Sequence, residues 1–79
     1  MTKFYTWQET TSGHIMIVNG QNKWFIRNSN SRWEVYEIVQ PPAGCVLHDI
    51  CFSLSNAKYR AYIMECNEHN QCREMTVAN

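Results

Sequence analysis

The run Asn22 to Val39, NKWFIRNSNSRWEVYEIV, constrains the fold more than any other stretch of the chain. Two segments rich in aromatic and β-branched residues flank the polar Asn28-Ser29-Asn30-Ser31, the composition of a β-hairpin. With those four residues as the turn, Arg27 opposes Arg32, Ile26 opposes Trp33, Phe25 opposes Glu34 and Trp24 opposes Val35. Side chains alternate across a strand, so Trp24, Ile26, Trp33 and Val35 share one face. Lys23, Phe25, Arg27, Arg32, Glu34 and Tyr36 share the other. An apolar face backed by a mixed, charged one is the pattern of an antiparallel sheet covered on one side.

Upstream, Lys3 to Thr10 reads as a strand with Tyr5 and Trp7 on one face and Phe4 on the other. Thr11-Ser12-Gly13 is a turn, and His14 to Val18 a second strand closed by Asn19-Gly20, a strong two-residue hairpin signal. That turn sets Val18 against Gln21, Ile17 against Asn22 and Ile15 against Trp24. The register predicts Ile15 and Ile17 on the Trp24/Ile26 face, with His14 and Met16 opposite; a slip of one residue would reverse this. Gln40-Pro41-Pro42-Ala43-Gly44 interrupts the ladder, because proline supplies no backbone donor. Cys45 to Phe52 follows as another strand, with Val46, His48, Ile50 and Phe52 on one side.

Ser53 is a good N-cap for a helix from Leu54 to Cys66 or Asn67, with Ser55 as a competitor and Phe52 placed to staple back onto Ala57. Leu54, Ala57, Ala61 and Met64 form the stripe that covers the sheet. Beyond it, Arg73 to Val77 alternates weakly and either adds a short strand or frays. The 79 residues read as one α+β domain. Its antiparallel meander of four to five strands spans residues 3–52 and packs against one C-terminal helix, 54–67, followed by a tail, 68–79.

Leucine occurs only at Leu47 and Leu54, so aromatic and β-branched residues carry the apolar load, as strands prefer. The formal net charge is zero, whereas nucleic-acid binders usually carry a basic excess. No apolar run approaches the ~20 residues that cross a bilayer. The opening MTKFYTWQET has no signal-peptide core, so the expected location is cytoplasmic.

The stretch CFSLSNAKYRAYIMEC, preceded by a tryptophan-rich hairpin, resembles small phage and prophage single-domain proteins of the anti-CRISPR type over residues 22 to 66. The resemblance implies a sheet-plus-helix fold and a non-enzymatic protein that covers a working surface on a host complex, in the host cytoplasm. It assigns no binding residue.

Three surfaces are candidates for function. Tyr59, Tyr62, Ile63 and Cys66 form a second helical stripe, and tyrosines suit contact surfaces because they combine area with a polar tip. Arg27, Arg32 and Tyr36 on the outer hairpin face form a second partner surface. Together with Lys23 and Phe25 they also make a nucleic-acid footprint of rings beside cations, although pairing with Glu34 or Glu37 explains the charges equally well. Cys45-His48-Cys51 and Cys66-His69-Cys72 share a C-x2-H-x2-C spacing. Strand alternation turns His48 away from its cysteines, leaving Cys66, His69 and Cys72 as candidate ligands of a zinc-stabilised domain. Without a secretory signal all four cysteines are expected as thiols. No nucleophile elbow, phosphate loop, dinucleotide fingerprint or H-E-x-x-H occurs. The expectation is a protein-binding module, monomeric or homodimeric, without enzymatic activity, cofactor or membrane association.

Overall fold

The computed structural model describes residues 2–39, 44–66 and 71–75. Five strands lead to one helix and a last short strand: β1 Thr2–Glu9, β2 Gly13–Val18, β3 Gln21–Ser29, β4 Arg32–Val39, β5 Gly44–Cys51, α1 Leu54–Glu65 and β6 Gln71–Glu74. They build a single six-stranded sheet in the order β5-β4-β3-β2-β1-β6. β1 to β5 form an antiparallel meander, while β6 returns to the far edge and runs parallel to β1. The sheet thus has six strands where four to five were expected; the added β6, Gln71–Glu74, overlaps the weakly alternating segment Arg73 to Val77 only at Arg73 and Glu74. Val77 and residues 40–43 of the proline break lie outside the described residues, while Gly44, expected in the break, opens β5.

The central hairpin turns on Asn30 and Ser31 alone, both with positive φ (53° and 65°), rather than on four residues. Asparagine tolerates that conformation well. The ladder extends through Asn28–Trp33 and Ser29–Arg32, and every pairing moves by two residues. A two-residue shift preserves the faces, so Trp24, Ile26, Trp33 and Val35 remain together. It also replaces the repulsive Arg27–Arg32 pairing with Arg27 opposite Glu34.

The first hairpin departs from expectation more deeply. Asn19 and Gly20 have the positive φ values of a two-residue turn (50° and 82°), and Val18–Gln21 and Ile17–Asn22 pair as expected. Met16 then pairs with Trp24, leaving Lys23 as the extra residue of a β-bulge. That single residue reverses β2 relative to the rest of β3. Met16 and Val18 are therefore the buried residues, and Ile15 and Ile17 lie on the opposite face. His14 correspondingly sits on the core side, 5.9 Å from the ring of Trp33.

A second bulge, at His48, acts likewise: Val35 pairs with Asp49 but Tyr36 with Leu47. It separates Ile50 from Val46, because Ile50 now pairs with Glu34 on the uncovered face.

The core is Met16, Val18, Trp24, Ile26, Val35, Cys51, Ala57 and Ala61, flanked by Tyr5, Trp7, Trp33, Leu54 and Met64. The helical stripe is the expected one, and its alanines let the helix approach the large sheet residues closely. Ser53 caps the helix by accepting from the Asn56 N–H at 3.2 Å. Phe52 does not staple onto Ala57; it is 79% exposed, with the Arg32 guanidinium 5.9 Å from its ring. The helix packs over β3, β4 and β5, which leaves the helix-side face of β1 partly open. It ends at Glu65, and Cys66 already has extended backbone. No helix among the described residues is long and apolar enough to cross a membrane.

Candidate functional site

Beside the helix, where β1 is left open, lies a groove of about 440 Å³ lined by Tyr5, Trp7, Lys58, Tyr59, Tyr62 and Glu74. Strand alternation sends Tyr5 and Trp7 to the helix side, where they pair with Val18 and Met16. The i, i+3 spacing of Tyr59 and Tyr62 brings both to the helix edge facing β1. Tyr5 and Tyr62 meet edge to face with ring centroids 5.7 Å apart. The Lys58 ammonium stands 5.3 Å from the centre of the Trp7 ring, a cation–π contact worth ~0.5–1 kcal/mol at such a site. Burial, then the negative charge of Glu74 and the neighbouring Tyr62, raise the pKa of the Tyr5 phenol above its usual 10.0. The groove therefore presents neutral ring surface between one cation and one anion, suited to an apolar or aromatic side chain with polar flanks.

Outside the groove's lining, at the end of α1, stands Glu65, the one buried charged residue among those described. Its carboxylate accepts from Lys3 Nζ at 2.6 Å and from the indole Trp24 Nε1 at 2.8 Å. These contacts join α1 to β1 and β3. Among the described residues no buried side-chain nitrogen or oxygen lacks a hydrogen-bond partner.

The sequence candidates divide between the two sides of the sheet. Tyr59 and Tyr62 converge in the groove, while Ile63, 38% exposed, lies further along the helix outside its lining. Arg27 and Tyr36 meet on the uncovered face, where with Phe25 and Cys45 they line a smaller hollow of about 200 Å³. There Glu34 Oε1 accepts from Arg27 Nη2 at 2.8 Å, from Arg27 Nε at 3.0 Å and from Tyr36 Oη at 2.9 Å. These hydrogen bonds, Arg27's first, lower the Glu34 pKa below the usual carboxylate value. The Arg27 charge is thus already matched within the chain. Arg32 stands apart at the hairpin end beside Phe52, and Lys23 lies at the bulge.

Cys66 and Cys72 are joined by a disulfide, against the expectation of free thiols, and bonded sulfurs are not thiolate ligands. That removes two donors from the proposed zinc triplet, whose His69 lies outside the described residues. Cys45 is exposed and Cys51 buried, both free. Among the described residues no group of three or more His, Cys, Asp or Glu side chains comes together as a metal site.

Tyr5, Trp7, Lys58 and Glu74 were not foreseen as site residues. Alternation grouped Tyr5 with Trp7, but only the placement of the helix over β3 to β5 shows that β1 borders its second stripe. Glu74 needed the parallel return of β6. In comparisons with known proteins, the chain matches no family model, no curated protein and no solved structure.

Proposed function

We propose that this chain is a small, non-enzymatic protein-binding module whose contact surface is the groove between α1 and β1. The observation that supports this reading is the convergence of Tyr59 and Tyr62 with Tyr5 and Trp7 around one open hollow. Aromatic anchors in a pocket with a polar rim are how protein interfaces concentrate their binding energy. Lys58 and Glu74 supply that rim, with Ile63 extending the apolar contact along the helix. In the manner of the phage proteins that residues 22 to 66 resemble, the module would act by occupying a working surface of a host complex. Direct nucleic-acid binding through Lys23, Phe25, Arg27, Arg32 and Tyr36 has less support, because Glu34 already matches Arg27.

The test is capture from host lysate on the immobilised protein, with bound proteins identified and compared across variants. Tyr59→Asp alters a side chain in a residue 60% exposed and leaves the core untouched. It should weaken capture at least tenfold, whereas Arg32→Ala should retain it. Equal capture by Tyr59→Asp and the unaltered chain would remove the groove from the claim. Salt-sensitive binding of single-stranded oligonucleotides, lost in Arg27→Ala, would favour the nucleic-acid reading instead.

A further inference from the structure

The side of the sheet away from the helix carries an apolar surface of its own. The pairings align Gln8, Ile15, Phe25, Tyr36 and Leu47 in one row across five strands, with no charge in it. On one side of this row lie Thr6, Ile17, the bulge residue Lys23, Ile38 and Cys45, and on the other Gly13, Arg27, Glu34 and Ile50. Leu47 and Ile50 are 46% and 44% exposed, and among the described residues the helix packs only on the other face. The bulge at Lys23 creates this surface by turning Ile15 and Ile17 outward.

We infer that the occupant of this face is a second copy of the same chain, giving a face-to-face dimer with its twofold axis along the strands between β3 and β4. That axis sets β3 over the partner's β4 and β2 over the partner's β5. Phe25 then lies over the partner's Tyr36, Ile15 over the partner's Leu47, and Arg27 over the partner's Glu34. Each interaction occurs twice, as an isologous interface requires. The Arg27–Glu34 pair within each chain and that of the partner form an alternating square, while Lys23 near the strand ends lies over the partner's Ile38; an axis across the strands would instead stack Arg27 on the partner's Lys23.

The overlap is modest in size. About this axis β2 to β5 of each sheet face one another, and four strands of about eight residues at ~3.3 Å per residue and ~4.8 Å between strands give roughly 500 Å² per partner before side-chain relief. The total of about 1,000 Å² lies at the low end for a specific interface. The zero net charge of the chain adds no general repulsion between copies.

Sedimentation equilibrium tests the assignment on a Cys45→Ser background, which excludes dimers linked through that exposed thiol. The expected result is a dimer at about 100 µM, as for an interface at the low end of the specific range. Leu47→Lys on the same background should raise the dissociation constant at least tenfold with unchanged far-UV circular dichroism. A geometric test uses Ile17→Cys with native Cys45. Within one chain these positions are three strand spacings apart, ~14 Å, but across the dimer they face one another at the ~10 Å of packed sheets. A bis-maleimide of about 8–10 Å should therefore link Ile17→Cys into dimers and leave the unaltered chain, with Cys45 alone, monomeric on a denaturing gel. A monomer throughout, a dimer indifferent to Leu47→Lys, or equal crosslinking with and without Ile17→Cys would each overturn the assignment.

Discussion

Glu65 is a carboxylate at the C-terminal end of a helix, where the helix dipole disfavours negative charge, and it is nearly buried. Its stability there depends on the Lys3 ammonium and the Trp24 indole N–H, which predicts a specific pattern of losses. Glu65→Ala orphans the Trp24 donor, and because Trp24 is only 4% exposed that N–H finds little water. An unsatisfied buried donor costs ~1–3 kcal/mol. The Lys3 side chain remains 24% exposed and recovers hydration, so its lost pairing adds less. The vacated volume adds about 1 kcal/mol, for a total of ~2–4 kcal/mol. A domain this size has ~4–12 kcal/mol in all, so the melting temperature should fall by roughly 10–25 °C. Glu65→Gln keeps an acceptor for Trp24 and the volume, and should cost only about 1 kcal/mol. Lys3→Met instead leaves the carboxylate without its cation and should cost ~2–4 kcal/mol. The double variant Lys3→Met/Glu65→Gln should cost at least about 1 kcal/mol less than the sum. Urea unfolding followed by tryptophan fluorescence and circular dichroism measures all four. A Glu65→Ala loss below about 0.5 kcal/mol, or strict additivity in the cycle, would refute the reasoning.

Four further outcomes follow from local geometry. Gly13→Ala should destabilise by about 2–4 kcal/mol in urea unfolding, since a Cβ there overlaps the Ile26 carbonyl oxygen on the adjacent strand. Glu34 has a lowered pKa, so its contribution is present above the usual value of 4.5 and disappears as pH falls through the folded-state value. The urea midpoints of Glu34→Gln and the unaltered chain should therefore converge in acid. The Tyr36 pKa is raised, chiefly by its hydrogen bond to Glu34, so its contribution is complete below pH 10.0 and fades above; the advantage over Tyr36→Phe should shrink in alkali. The Cys66–Cys72 bond closes a short loop worth about 2 kcal/mol by chain entropy and ties β6, paired with β1, to the end of α1. Cys66→Ser should raise hydrogen exchange at the Met75 amide, which donates to the Tyr5 carbonyl, while Met16 and Ile26 remain protected.

What the sequence made legible was whatever a single period or cap specifies. The Asn19-Gly20 turn, the Ser53 cap and the Leu54/Ala57/Ala61/Met64 stripe each rest on local chemistry and occur as expected. The central hairpin tolerated an error in turn length because a two-residue shift leaves every side chain on its own face. β2 had no such protection. Its Ile15-Met16-Ile17-Val18 is apolar at every position, so alternation offers two equally good faces and a bulge on the neighbouring strand makes the choice. The groove was half legible: Tyr59 and Tyr62 stood out as a spare helical stripe, but their companions come from strands far away in sequence. Glu65 stayed hidden because its partners, Lys3 and Trp24, are 62 and 41 residues away.

The bulge at Lys23 links the two proposed surfaces. A continuous β2–β3 ladder would have put Ile15 and Ile17 beneath the helix and Met16 outside, leaving the uncovered face less apolar. With the bulge, Met16 and Val18 fill the core and stand beside Trp7 and Tyr5 on the same face of the sheet. The same residue turns Ile15 and Ile17 into the face that a second copy would cover. Such a dimer buries the two sheets and carries both helices outward, so each groove stays open on an opposite side of the assembly. Two identical grooves would bind a repetitive or symmetric partner with an avidity that one groove lacks, provided both can be engaged at once. Partner capture that falls with Leu47→Lys, although Leu47 lies outside the groove, would be the signature of that coupling.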